Sequence, residues 1–198
     1  MKNGLLLWLA LFLCADAFPQ KSSDLFDGTA VRETDTLRGK ISYDLQTNTV
    51  VIQGDGGVFT GSPRTVAAFE IFDPNIINYR KFYALPDGSA YYNNPVFFEL
   101  LNDGKLTVLC REHIEQRTAG YSFYSYGFTE NVLVVEYYML NTAGKAEPLT
   151  SAKKAWLQLM SRKRDQVEEY AKKNKLQWAN KYDLQKIVGY YNSLFLKP

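Results

Sequence analysis

Between residues 37 and 149 the chain is cut again and again by turn chemistry, and this constrains its fold more than anything else in the sequence. The breaks are Gly54-Asp55-Gly56-Gly57, Asp73-Pro74-Asn75, Pro86-Asp87-Gly88 and Asn102-Asp103-Gly104-Lys105. Glycine, proline, asparagine and aspartate supply the backbone angles that tight turns need. Between them lie short runs rich in β-branched and aromatic residues: Ile41 to Leu45, Thr49 to Gln53, Thr65 to Phe72, Lys81 to Leu85, Val96 to Leu101, Leu106 to Glu112, Tyr121 to Phe128 and Val132 to Leu140. Breaks this frequent leave no room for crossover helices, so an antiparallel sheet, sandwich or partial barrel follows.

The sharpest local expectation is a hairpin turning on Asp103-Gly104, because both central positions of a type I′ turn need positive φ. That register sets Leu101 against Leu106, Glu99 against Val108 and Phe97 against Cys110. The second face then carries Phe98 beside Leu109 and Leu100 beside Thr107, so both faces are largely apolar and the hairpin should be covered on each side.

A cover follows in sequence. From Ser151 onward Ala152, Ala155, Trp156, Leu159, Met160, Val167, Tyr170 and Ala171 recur at three- and four-residue steps, predicting one amphipathic helix of roughly 20 residues capped by Thr150 or Ser151. A second helix is predicted to begin at Asn180, with Leu184, Ile187, Val188, Tyr191, Leu194 and Phe195 as its stripe. The fold class is therefore α+β: a β domain over 37–149 and a helical pair over 150–198. Residues 18–36 are polar and turn-rich and read as a loose N-terminal arm.

The first 17 residues read as an export signal. Lys2 precedes a continuous apolar run from Gly4 to Cys14, and Ala15-Asp16-Ala17 is an A-x-A cleavage site. The run is too short to cross a bilayer that needs about 20 residues. Leu13 before Cys14 argues against lipidation. With the leader gone Cys110 is the one cysteine left, so no intramolecular disulfide can form, and the core must supply stability. The expected location is the periplasm or the exterior of the cell.

Charge is shared unevenly. Residues 151–198 hold 11 Lys+Arg against 4 Asp+Glu, a net +7, whereas residues 18–150 hold 11 against 16, a net −5. Such a tail can dock on the acidic β portion or touch an anionic surface weakly. Lys172-Lys173-Asn174-Lys175 is too short a cluster to argue for nucleic acid.

No cofactor or metal signature stands out. Cys110 and His113 have C-x-x-H spacing, but residues three apart on a strand point to opposite faces, and His113 is the only histidine. No G-x-S-x-G elbow exists. The glycine cluster at 54–57 lacks a following lysine and helix and reads as a hairpin turn. Three glutamates sit among apolar strand residues: Glu70, Glu99 and Glu136, with Arg64 and Arg111 as plausible cationic partners. A carboxylate on an interior face needs such a partner, and one with a raised pKa can serve as a general acid. Aromatics cluster at Tyr121, Phe123, Tyr124, Tyr126 and Phe128, with pairs at Tyr91-Tyr92 and Tyr137-Tyr138. Exposed tyrosines can stack on sugars or anchor a protein partner; buried ones fill the core.

The segments Phe69-Glu70-Ile71-Phe72-Asp73, Arg80-Lys81-Phe82-Tyr83-Ala84-Leu85-Pro86, Pro95-Val96-Phe97-Phe98-Glu99-Leu100-Leu101 with Gly104-Lys105-Leu106, and Lys173-Asn174-Lys175-Leu176 with Asp183-Leu184 and Tyr190-Tyr191-Asn192-Ser193-Leu194 resemble an uncharacterised group of exported proteins of Bacteroidetes-type bacteria. The resemblance implies an envelope location and carries no activity. The leading expectation is thus a non-enzymatic envelope protein that grips a protein or glycan through aromatic surface at Tyr121, Tyr124 and Tyr126, with Arg64 and Arg111 as polar contacts. Its rival is a hydrolase of envelope glycan or lipid with Glu70, Glu99 or Glu136 as acid or base, which needs two of those carboxylates, or one with Arg64 or Arg111, lining a common cleft.

Overall fold

The computed structural model describes residues 24–87, 94–119 and 128–196. These form an open antiparallel sheet of ten strands followed by three helices. The strands are β1 (Phe26–Arg32), β2 (Thr36–Asp44), β3 (Thr49–Gly54), β4 (Gly57–Gly61), β5 (Val66–Asp73), β6 (Asn78–Pro86), β7 (Pro95–Asn102), β8 (Val108–Ala119), β9 (Phe128–Leu140) and β10 (Ala146–Leu149). Their order across the sheet is β10-β9-β8-β7-β6-β5-β1-β2-β3-β4. The helices are α1 (Lys153–Leu159), α2 (Arg164–Lys173) and α3 (Lys181–Ser193).

One correction concerns the N-terminus. Within the stretch read as a loose arm, Phe26–Arg32 is β1, paired with β2 on one side and β5 on the other. Its alternation is masked by Asp27, Gly28 and Thr29, but Gly28 is needed where it stands. A Cβ there would lie 2.2 Å from the Glu70 carbonyl oxygen, and one on Gly39, its cross-strand partner, 2.1 Å from that of Gln53. The missing side chains let neighbouring backbones close up and the sheet bend. Bending is required by the connectivity: β4 lies four places from β5 in the sheet, yet residues 62–65 alone join them, closed by the Val66 N–H donating to the Ser62 carbonyl at 3.0 Å. The N-terminal end of the sheet therefore coils around a core of Ala30, Ile41, Val50, Ile52, Val66, Phe69, Ile71, Phe82 and Phe97. Phe69 and Phe82 stack there with centroids 4.4 Å apart.

The other end of the sheet is covered by the helices. Leu101, Leu106, Val108, Cys110 and Tyr137 pack against Trp156, Met160, Val167, Ala171, Leu184, Ile187, Val188 and Tyr191. The opposite face of the same strands buries Phe98, Leu109 and Tyr138, so the hairpin is covered on both sides as its composition requires.

The 103–104 turn does not form as expected. The structure pairs Glu99 with Cys110 and Leu100 with Leu109, then shifts register so that Asn102 meets Val108. Asn192 of α3 imposes the wider loop: its Oδ1 accepts from the Leu106 N–H at 2.8 Å, and its Nδ2 donates to the Leu106 and Asp103 carbonyls at 2.9 and 3.2 Å. The predicted 20-residue helix is also broken, by the 3-10 turn Ser161–Lys163 between α1 and α2. Ala152, not Thr150 or Ser151, occupies its N-cap, with no side-chain bond. Asn180 caps α3 as its sequence suggests, its Oδ1 accepting from Tyr182 and Asp183 N–H at 3.0 and 3.1 Å.

Candidate functional site

Two adjacent rows of cross-strand partners decide where every charged side chain of the sheet points. One row runs Leu37, Ala30, Phe69, Phe82, Glu99, Cys110, Tyr137 and faces the cores and helices. The next runs Arg38, Thr29, Glu70, Lys81, Leu100, Leu109, Tyr138 and faces the other way, because successive residues of a strand alternate. We call these the inner and outer faces.

Glu99 lies on the inner face, between the coiled core and the helix-covered core, and is 5% exposed. Its partners are neither Arg64 nor Arg111. Arg80 of β6 grips it with two bonds, Nε to Oε1 at 3.0 Å and Nη2 to Oε2 at 2.7 Å. Lys181, at the first position of α3, donates to the same Oε2 and to Glu112 Oε1. Arg80 reaches Glu112 Oε2 at 3.0 Å and approaches Asp73 at 3.7 Å. A lysine at a helix N-terminus opposes the helix dipole; two carboxylates offset that. Burial alone would raise the Glu112 carboxyl, but the charges and hydrogen bonds of Lys181 and Arg80 outweigh it and hold the group below its ordinary value. Burial pushes the Cys110 thiol well up. Every carboxylate here is engaged, so the cluster reads as a clamp between sheet and α3.

Glu136 and Arg111 are cross-strand partners on the outer face. Arg111 Nη1 donates to Asp87 at 2.8 Å, and the Tyr138 hydroxyl donates to Glu136 at 3.0 Å. His113 shares this face, its Nε2 3.2 Å from Glu115, while Cys110 sits on the inner face; the C-x-x-H pair diverges. Arg64 lies on the β4–β5 turn, its Nη2 donating to Asn94 at 2.7 Å. Tyr121, Tyr124 and Tyr126, like Tyr91 and Tyr92, lie outside the described residues.

Glu70 shows a different surrounding. It is half-buried on the outer face opposite Lys81, and among the described residues neither forms an ion pair. Two exposed tyrosines bracket the pair along β6: Tyr79, 55% exposed, and Tyr83, 38% exposed. Val31 is 42% exposed beside Ala68 and Tyr83. Phe72 holds the Tyr79 ring edge-on, centroids 5.3 Å apart. A shallow depression on the Tyr83 side of this face is lined by Thr29, Val31, Ala68, Glu70, Lys81 and Tyr83.

No protein-family model, curated protein or solved structure matches this chain. The site must be read from its own chemistry.

The three candidate glutamates do not converge. Glu99 is on one face and Glu70 and Glu136 on the other, on β5 and β9, four strands apart. At about 4.8 Å per strand that is about 19 Å along the sheet, against about 5–9.5 Å between the carboxyls of glycosidases. Among the described residues no group of three or more His, Cys, Asp and Glu side chains is placed to hold a metal ion, and no helix is long and apolar enough to cross a membrane. Lys81 and Tyr83 lie within the predicted run Lys81 to Leu85 without standing out as site residues, and Tyr79 lies just before it. Begun at Asn78, its alternation puts Tyr79, Lys81 and Tyr83 on one face and Arg80, Phe82 and Ala84 on the other.

Proposed function

We propose that this chain is an exported, non-enzymatic binding module of a bacterial envelope that contacts a protein or glycan through the outer face of β1, β5 and β6. The observation that carries the reading is the pair of exposed tyrosines, Tyr79 and Tyr83, on one strand face around Glu70 and Lys81, which make no ion pair among the described residues. Exposed tyrosines offer large contact area with a polar tip and lose little side-chain freedom on binding. Elsewhere on the sheet the candidate acids are committed: Glu99 to Arg80 and Lys181, Glu136 to the Tyr138 hydroxyl. Export is supported by the charged start, apolar run and A-x-A exit of residues 1–17, and by the resemblance to exported proteins.

Two measurements test this. N-terminal sequencing of protein from the periplasm or medium is expected to start at Phe18; protein held in the cytosol with residues 1–17 intact overturns export. The immobilised full chain is expected to retain material from an envelope fraction, and Tyr79→Ala/Tyr83→Ala to retain about tenfold less; equal retention by both overturns the binding face.

A further inference from the structure

We infer that the ligand of this outer face is a linear oligosaccharide laid along β6, an assignment that rests on the binding face proposed above. Tyr79 and Tyr83 stand four residues apart on one strand, so their Cα atoms are separated by about 13 Å. That exceeds the width of one pyranose ring, and only a chain of several sugars reaches both. A pyranose presents a face of C–H groups, which stacks on an aromatic ring, and a rim of hydroxyls. The groups a hydroxyl rim needs lie in the row that crosses β6 midway between the two tyrosines: the Lys81 ammonium on β6 as donor, the Glu70 carboxylate one strand away as acceptor, and the Thr29 hydroxyl a further strand out as either. Arg38 extends the same row by one strand. Among the described residues Arg38, Glu70 and Lys81 make no ion pair, so a ligand meets them without breaking one.

A folded protein fits this face less well. The charged row divides its apolar surface in two, with Val31 and Tyr83 on one side and Phe72 and Tyr79 on the other. Packing a protein across it would desolvate a carboxylate and two cations, each of which would then need a matched charge from the partner. A glycan brings a hydroxyl to each and leaves them partly in water. With two cations to one carboxylate, the row accepts neutral and acidic sugars and disfavours basic ones.

The test uses the immobilised full chain and an envelope fraction in three portions: untreated, oxidised with periodate, which cleaves the vicinal diols of sugars, and digested with protease. A glycan ligand predicts retention that survives protease and falls at least about tenfold after periodate. A similar fall is expected in Tyr79→Ala/Tyr83→Ala and a smaller one in Lys81→Ala. Retention that survives periodate, is abolished by protease and still needs the tyrosines overturns the glycan while leaving the binding face in place. Retention indifferent to the tyrosines, or none, overturns both. Circular dichroism of the double variant is expected to match the parent, because both rings are exposed; if it is unfolded, Lys81→Ala together with Glu70→Gln decides in its place.

Discussion

Glu70 and Glu99 have the same kind of sequence neighbourhood, a carboxylate between apolar residues in a β-run, and they end on opposite faces of one sheet with opposite fates. Glu99 is buried and held by Arg80 and Lys181; Glu70 is half-buried with no ion pair among the described residues. Lys81 faces Glu70 across β5 and β6, and Arg80, one residue earlier, reaches to the inner face to bind Glu99. Alternation alone thus separates a buried clamp from a partly exposed carboxylate on the open face. The largest predicted effect breaks that comparison directly. Glu99→Ala leaves Arg80 and Lys181 buried with a lost partner and is expected to cost about 3–5 kcal/mol in urea unfolding. Glu70→Ala, on the outer face, is expected to stay within about 0.5 kcal/mol. Equal losses would mean that the two faces are not distinguished as described.

The same alternation explains how much of this molecule is legible in its sequence. Strands such as β5 and β7 and the helix capped by Asn180 follow from local pattern, since the residues that specify them lie within the element. The inner-face clamp does not. Lys181 is 82 residues from Glu99 and Arg80 is 19 from it, and in sequence each is an ordinary basic residue in an amphipathic run. Strand β1 was hidden because a glycine required by close backbone approach at Gly28 imitates a turn signal. The proposed contact face is half legible: Glu70 stands out among apolar residues, but Tyr79 lies just beyond a turn whose Ile77 has positive φ and reads as part of the loop.

The Asp103-Gly104 loop is a second place where distance along the chain defeats local preference. Asp103-Gly104 favours a tight hairpin, yet Asn192, 86 residues from Leu106, supplies three hydrogen bonds that hold a wider loop and its register. Removing those partners in Asn192→Ala leaves a buried N–H and carbonyl unpaired, at an expected cost of about 1–3 kcal/mol. Amide exchange sharpens the assignment: the Leu106 N–H is expected to lose protection in the variant while amides of β1 and β2, at the coiled end, keep theirs. Uniform loss across the sheet would instead mark a global effect.

Acid gives the smallest effect and localises it. Glu112 sits at the rim of the clamp with its carboxyl held below the ordinary 4.5, because Lys181 and Arg80 outweigh the burial that would raise it. A carboxyl depressed in the folded chain binds its proton there less readily than in the unfolded chain. Its stabilising contribution is therefore complete above about pH 4.5 and is lost as pH falls through the folded value. Lys181 and Arg80 keep their charge throughout that window, so protonation of Glu112 removes one of the two carboxylates that hold Lys181 at the start of α3. Hydrogen exchange just below pH 4.5 is expected to loosen the first turn of α3 before β1 and β2. In Glu112→Gln the loss of stability between pH 6 and the acid limb is expected to flatten, with a lower starting value at neutral pH. If acid opened the coiled end first, the clamp would not be what ties α3 to the sheet, and the contrast between the two faces would have to be rebuilt on packing alone.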